Sequence, residues 1–302
     1  MKINNNLKIT VHIPFFFEEK KKNQLNFFKK VCLEHLNLST KTKIYVHSNI
    51  VLTKLNKRIK FIKHSFEGSH PHKLTWVCRD LMKKQKNQFD IFIYCEDDIL
   101  FTKKNLKYWL KYKDLCVSQS YNLGFLRVEK NKKNKHLYSA DHIKKSKYTI
   151  KLDKTNFIIP SSPHCSFWIY DKKEFGEFVK TKYFNFKWKW TGISGVLLIR
   201  EMASIGWHGI NMNGTTMNRY KATIIPFKNN LFNKDSFVRH LPGNYSASPA
   251  GLYGSFKVKD LIDKKLEEYE EQSFLANMLN KIRLILYRMF RFNLKKLIKK
   301  FA

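Results

Sequence analysis

An α/β fold, a doubly wound sheet flanked by helices, is what this 302-residue sequence predicts. Three observations carry it. Period-2 and helical apolar patterns alternate through the first hundred residues. A hydrophobic content of 43% is enough to fill one α/β core. The most uniformly apolar run ends abruptly in acidic residues, as a buried strand ends at a polar rim. In chain order, Leu7 to Ile13 alternates with β-branched residues and reads as a first strand closed by Pro14. Lys20 to Leu36 places Leu25, Phe28, Val31, Cys32 and His35 at helical spacing. Lys43 to Ser48 and Ile59 to Ile62 read as strands, His72 to Lys84 as a helix and Phe89 to Cys95 as the clearest buried strand. A helix is expected from Lys103 to Tyr112, and a strand returning to the sheet at Gly124 to Glu129.

Lys130 to Lys147 is polar, basic and without clear period, and reads as an exposed insertion. Strands recur at Ile150 to Leu152, Ser166 to Tyr170 and Ala222 to Pro226, with helices at Lys172 to Thr181 and Gly192 to Ser204. The expected division is one domain over 1–260, with halves at 1–130 and 148–260. From 261 to 302 the composition shifts to a basic, amphipathic helical tail. Residues 273–302 combine an apolar stripe with Lys and Arg, a pattern that suits an anionic membrane surface or packing on the domain.

The formal net charge of +34 raises the question of nucleic acid. Only nine of the 58 basic residues are Arg, whereas base reading and bidentate phosphate clamping favour the Arg fork. Nucleic acid is therefore not the expected partner. Five scattered cysteines without Cys-x-x-Cys spacing read as reduced core residues. No secretory h-region or 18-residue apolar run is seen, so a cytoplasmic protein, peripheral to the inner membrane face, is expected.

Glu96, Asp97 and Asp98 follow the buried strand directly. Three adjacent carboxylates repel one another unless a cation or hydrogen-bond donors compensate, and oxygen ligands beside a diphosphate suit Mg²⁺ or Mn²⁺. The competing reading is a solvated acidic turn that caps the following helix. The segment Phe89 to Ile99 resembles the metal-site segment of GT-A glycosyltransferases, in which a hydrophobic strand ends in Asp-x-Asp or a Glu-Asp-Asp variant. The architectural likeness covers about the first 130 residues, and only the acidic segment is specific.

That resemblance implies a GT-A, Rossmann-like mixed sheet flanked by helices, with Asp98 on the cation and Asp97 and Glu96 toward ribose or sugar. It implies a second metal ligand, for which His240 is the candidate, and in inverting members a base, for which Glu201 is the choice. Arg79 and Asp80, on the helix before the acidic strand, and Arg127 after Gly124 are expected at the donor, with Glu129 beside them. Trp168, Trp188, Trp190 and Trp207 are candidates for stacking on an acceptor sugar or for the core. The implied activity is transfer from a nucleotide-sugar, a UDP-sugar by expectation, to a glycan or lipid-linked acceptor. The alternatives are nucleotidyl transfer and a non-enzymatic nucleic-acid- or membrane-binding protein.

Overall fold

The computed structural model describes residues 5–21, 23–53, 55–65, 73–181, 184, 203–204, 206–207, 220–248 and 253–270. Its centre is a five-stranded sheet in the order β11-β4-β1-β2-β3. These strands are β1 (Ile9–Phe15), β2 (Lys43–Ser48), β3 (Ile59–Lys63), β4 (Ile91–Cys95) and β11 (Phe167–Asp171). The first four run parallel and β11 is antiparallel to β4. β1 and β4 are buried along their whole length, which explains their near-continuous apolar composition. Helices cover both faces. Phe28 and Val31 of α1 (Gln24–Leu36) and Leu106 and Trp109 of α3 (Lys103–Ser118) share one core cluster. Cys78 and Met82 of α2 (Leu74–Lys84) and Phe175 and Phe178 of α4 (Lys172–Phe178) share another.

The chain steps from β1 outward to β2 and β3, then returns to place β4 on the other side of β1. Such a reversal opens a crevice at the carboxyl ends of the two strands. The registers show where it opens. Pairing of β1 with β4 stops at His12 and Tyr94, whereas pairing with β2 continues to Phe15 and Ser48. Pro14, with no N–H to give a ladder, stands where β1 has already left β4.

The described residues form two further sheets. One has the order β13-β12-β10-β9-β15, with β6 (Asn122–Leu123) beside β12. Its strands are β9 (Ser146–Leu152), β10 (Thr155–Ile158), β12 (Thr223–Lys228), β13 (Leu231–Phe232) and β15 (Ile262–Glu268). The other is β5-β14-β7-β8, from β5 (Ile99–Leu100), β7 (Leu126–Lys130), β8 (Leu137–Ser139) and β14 (Phe237–His240).

Three sequence expectations are corrected here. The strand after Gly124 joins β14 and β8 rather than the central sheet. The stretch 130–147 is not an exposed insertion: it contains β8 and the start of β9, and Asp141 and His142 are buried. Most of its Lys side chains reach solvent, while Asn131, Ser139, Ala140 and Ser146 are buried with the Asp–His pair. Residues 262–268 form a strand, not the start of a helix, because pairing with β9 outweighs the local propensity of a charged sequence. The remainder of the expected tail, 271–302, lies outside the described residues, as does most of the expected helix 192–204. The five cysteines are buried free thiols, as expected.

A column of imidazoles crosses the α2 face of the central sheet. His12 Nε2 lies 3.0 Å from Gln85 Oε1, His12 Nδ1 3.0 Å from His47 Nε2, and His47 Nδ1 3.0 Å from His64 Nε2. Each neutral ring can donate at Nε2 and accept at Nδ1, so one tautomer satisfies the whole row. Burial lowers His12 to about 3 and His47 to about 2, the latter also because its imidazole neighbours are potential cations. The unfolded chain therefore takes up protons near pH 6.5 that the folded column refuses, and stability is lost as pH falls below that value. The raised carboxyls of Asp97 and Glu174 act in the opposite direction. The check is thus a difference: between pH 6 and 5, His47→Gln should flatten the fall of unfolding free energy by about 1 kcal/mol per pH unit. Equal slopes in the two proteins would remove the column as a source of acid sensitivity.

Candidate active site

The acid trio forms the turn between β4 and β5, closed by Ile99 N–H donating to Glu96 C=O at 3.2 Å. Both flanks are fixed. Glu96 N–H donates to Ser166 C=O at 3.2 Å, and Leu241 N–H donates to Asp98 C=O at 3.0 Å. Ser166 holds a positive φ of 54°, a conformation a non-glycine residue adopts only when its surroundings impose it.

Antiparallel pairing of β14 with β5 sets His240 opposite Ile99, one residue beyond Asp98. The start of β14 is held by Asn105 of α3, whose amide donates to Asp235 C=O at 2.7 Å and Phe237 C=O at 2.9 Å. The outcome is that His240 Nε2 lies 3.3 Å from Asp98 Oδ2, although 142 residues separate them. On its other edge, His240 Nδ1 bonds the fully buried Glu129 of β7. Glu129 also accepts from Ser246 N–H at 2.6 Å, tying down the short helix Asn244–Ala247. Gly243, at φ 71°, makes the turn into that helix. Burial disfavours the charged imidazole, yet the hydrogen bonds it donates to the two carboxylates outweigh it and raise His240 to about 9. Burial, with the charge of Asp98 beside it, raises the Asp97 carboxyl to about 8.

Behind this pair lies a second, buried cluster. Arg127 of β7 donates to both oxygens of Asp141, at 2.8 and 2.5 Å, and to Ser166 Oγ at 2.9 Å. Asp141 also meets His164 Nδ1 at 3.1 Å, and His164 Nε2 lies 3.1 Å from Ser204 Oγ. Burial opposes both charges of the Arg127–Asp141 pair, but their attraction dominates, lowering the Asp141 carboxyl and raising the Arg127 guanidinium.

These groups border a cleft of about 790 Å³. Its floor is Glu96, Asp97 and Asp98, with Arg127 and His240 beside them; Pro14 and Phe16 form one wall, and Pro242, Asn244 and Tyr245 another. Asn23 and Gln24 at the start of α1, and Leu74 and Thr75 at the start of α2, also line it. First-turn N–H groups and the positive ends of two helix dipoles therefore border the acid turn, an arrangement that suits an anionic ligand held through a cation.

Among the described residues no group of three or more His, Cys, Asp or Glu is poised to hold a metal by itself. Asp98 and His240 nonetheless fit a shared site. Two cis ligands of Mg²⁺ or Mn²⁺ lie about 3 Å apart, and such ions are commonly held by one or two protein ligands with phosphate oxygens completing the shell. Glu129 would orient the His240 ring, as carboxylates behind metal-binding imidazoles do.

Of the residues expected at the site, Glu96, Asp97, Asp98, Arg127 and His240 share the cleft. Arg79 and Asp80 do not line it. Arg79 is buried one turn further along α2, its guanidinium 4.1 Å from the Trp76 ring and donating to Phe184 C=O at 3.3 Å and Ala203 C=O at 3.1 Å. Asp80, one position on, faces solvent. Trp168 and Trp207 are core residues. Glu201, Trp188 and Trp190 lie outside the described residues. The sequence reading missed Gln24, Asp141 and Tyr245. A lone acid within a Lys-rich run was the one available signal for Asp141, and nothing local marks Gln24.

No protein-family model and no curated protein sequence matches the chain. Among solved structures, 180 chains match. Residues 1–349 of Staphylococcus aureus TarS are similar over 67% of this chain and 56% of that one, at 11% identity and a TM-score of 0.37. The bifunctional IspDF of Campylobacter jejuni is similar over 71% and 52%, at 11% identity and a TM-score of 0.35. A longer TarS structure is similar over 57% and 29%, at 13% identity and a TM-score of 0.32. The chain spans about half, or less, of the length of these structures. The chemistry has to be argued from the cleft.

Proposed function

We propose that this chain is a metal-dependent glycosyltransferase that moves a sugar from a nucleotide-sugar, a UDP-sugar first among candidates, to a glycan or lipid-linked acceptor. The observation that carries the reading is the meeting of Asp98, in the turn after β4, and His240, at the end of β14, in a cleft at the switch point of a parallel sheet. Asp98 and His240 would hold Mn²⁺ or Mg²⁺, with Glu129 orienting the imidazole. The cation, when bound, supplies positive charge to the nucleoside diphosphate that departs from the anomeric carbon. The first turns of α1 and α2 face the diphosphate, and Glu96 and Asp97 face the ribose or sugar. Arg127, clamped by Asp141, keeps a fixed positive charge at the cleft edge. In an inverting reaction Glu201 is the proposed acceptor of the hydroxyl proton.

No helix among the described residues is long and apolar enough to cross a membrane. Contact of residues 273–302 with an anionic membrane surface, on the cytoplasmic side, belongs to the same proposal.

The test is thermal unfolding with a panel of nucleotide-sugars, each with and without Mn²⁺. At 100 times its Kd the cognate donor adds about 2.7 kcal/mol, several degrees in Tm, and it does so only with the ion present. Consumption of a nucleoside triphosphate with a sugar phosphate would reassign the chain to nucleotidyl transfer. Absence of any nucleotide-dependent shift, with steeply salt-dependent binding to nucleic acid, would overturn the enzyme reading.

A further inference from the structure

The cleft wall after β1 is held by two side-chain amides in place of a neighbouring strand. Asn49 accepts from Phe17 N–H at 2.9 Å and donates to Phe17 C=O at 3.0 Å. Gln24, the first residue of α1, donates to Phe16 C=O at 2.8 Å and accepts from Glu18 N–H at 3.3 Å. Together they satisfy four successive backbone groups and set Phe16 and Glu18 along the cleft. Gln24 has a further partner: its Nε2 also donates to Asp97 Oδ2 at 3.1 Å. One amide therefore joins the wall of the cleft to its acidic floor.

Resting on the ion-site reading above, we propose that Gln24 is a positioning residue: it fixes the Asp97 carboxylate against the Phe16–Glu18 wall, so that cation site and nucleotide wall form one preorganised unit. The physical reason is the crowding of Glu96, Asp97 and Asp98. A carboxylate between two others turns away from them unless a donor holds it, and a turned carboxylate no longer adds its charge where the ion sits. Gln24 supplies that donor while its remaining bonds keep its own side chain from following. The charge pattern of the sequence does not reveal this, because the donor is neutral and lies 73 residues before its acceptor.

The test measures Mn²⁺ affinity directly, by the loss of the free-ion electron paramagnetic resonance signal on titration, in the full chain. Gln24→Ala should weaken Mn²⁺ binding about 10- to 100-fold, the range seen when a residue behind a metal ligand is removed. Gln24→Met, which keeps length and apolar contacts, should give the same loss in a chain whose Tm still lies well above the titration temperature, which excludes unfolding as the cause. If Gln24 acts through Asp97, its removal in an Asp97→Asn background should change the Kd by no more than about twofold. Wild-type affinity in Gln24→Met, or an equal loss in both backgrounds, overturns the role of Gln24 and leaves the ion site standing. A wild-type chain that takes up no Mn²⁺ overturns the ion site and this proposal together.

Discussion

An Asp98→Asn variant is expected to lose measurable Mn²⁺ binding and to transfer sugar about 100- to 1000-fold more slowly, while remaining at least as stable as the wild type. The first effect follows from the small number of protein ligands. Among the described residues Asp98 and His240 are the two proposed ligands, and the amide oxygen of Asn carries no charge to offset the dehydration of the ion. His240 cannot compensate, because Glu129 holds its other nitrogen and β14 fixes its backbone against β5. The second effect follows from the local charge. Neutralising Asp98 relieves its repulsion of Glu96 and Asp97 in the ion-free protein, which offsets the weaker bond to His240. Mn²⁺ titration, thermal unfolding and kcat/KM of one variant thus separate a ligand from a structural acid. A variant that bound Mn²⁺ as the wild type does would sink the assignment, and a sharply lowered Tm would restore the reading of the trio as a structural turn.

How much of this arrangement the sequence discloses depends on the range of the interactions. β4 and its acidic end are legible because a five-residue apolar strand with both faces buried leaves a local imprint, and the abrupt change to Glu96 marks the rim. His240 is legible as a residue type in a turn-rich segment, but its distance from Asp98 is set by the β5–β14 register, which no local pattern encodes. Arg79 was misplaced for a related reason. Helical spacing puts it on an apolar face, yet does not tell what that face meets; the guanidinium packs on Trp76 and Phe184 and does not line the cleft. Asp141 failed in the opposite sense. Lys132, Lys133, Lys135, Lys144 and Lys145 make its surroundings read as solvent, although the Asp itself is buried and paired. The pattern of charge along a sequence averages over neighbours, whereas a β-rich fold alternates them between solvent and interior.

The Arg127–Asp141 pair carries the largest expected effect on stability. Both side chains are about 8% exposed, and Arg127 satisfies Asp141 through two nitrogens while a third reaches Ser166. Arg127→Ala leaves Asp141 with the His164 imidazole as its neighbour in a place where water has little access. Stranding a buried charge in this way costs about 3–5 kcal/mol, and the expected fall in Tm is on the order of 10 °C. The cost comes from the stranded carboxylate rather than from the pair itself. Arg127→Met combined with Asp141→Leu, which removes both charges and keeps most of the volume, should therefore recover most of the loss. If Arg127→Ala cost less than about 1 kcal/mol by denaturant unfolding, water or a rearranged neighbour would have to reach Asp141, and the cluster would not be the rigid backing described above. The recovered double variant has a further use. Arg127 borders the cleft, so a chain that folds well without it and still binds Mn²⁺, but no longer responds to the donor, would locate the role of Arg127 at the substrate; restored donor binding would locate it in the scaffold alone.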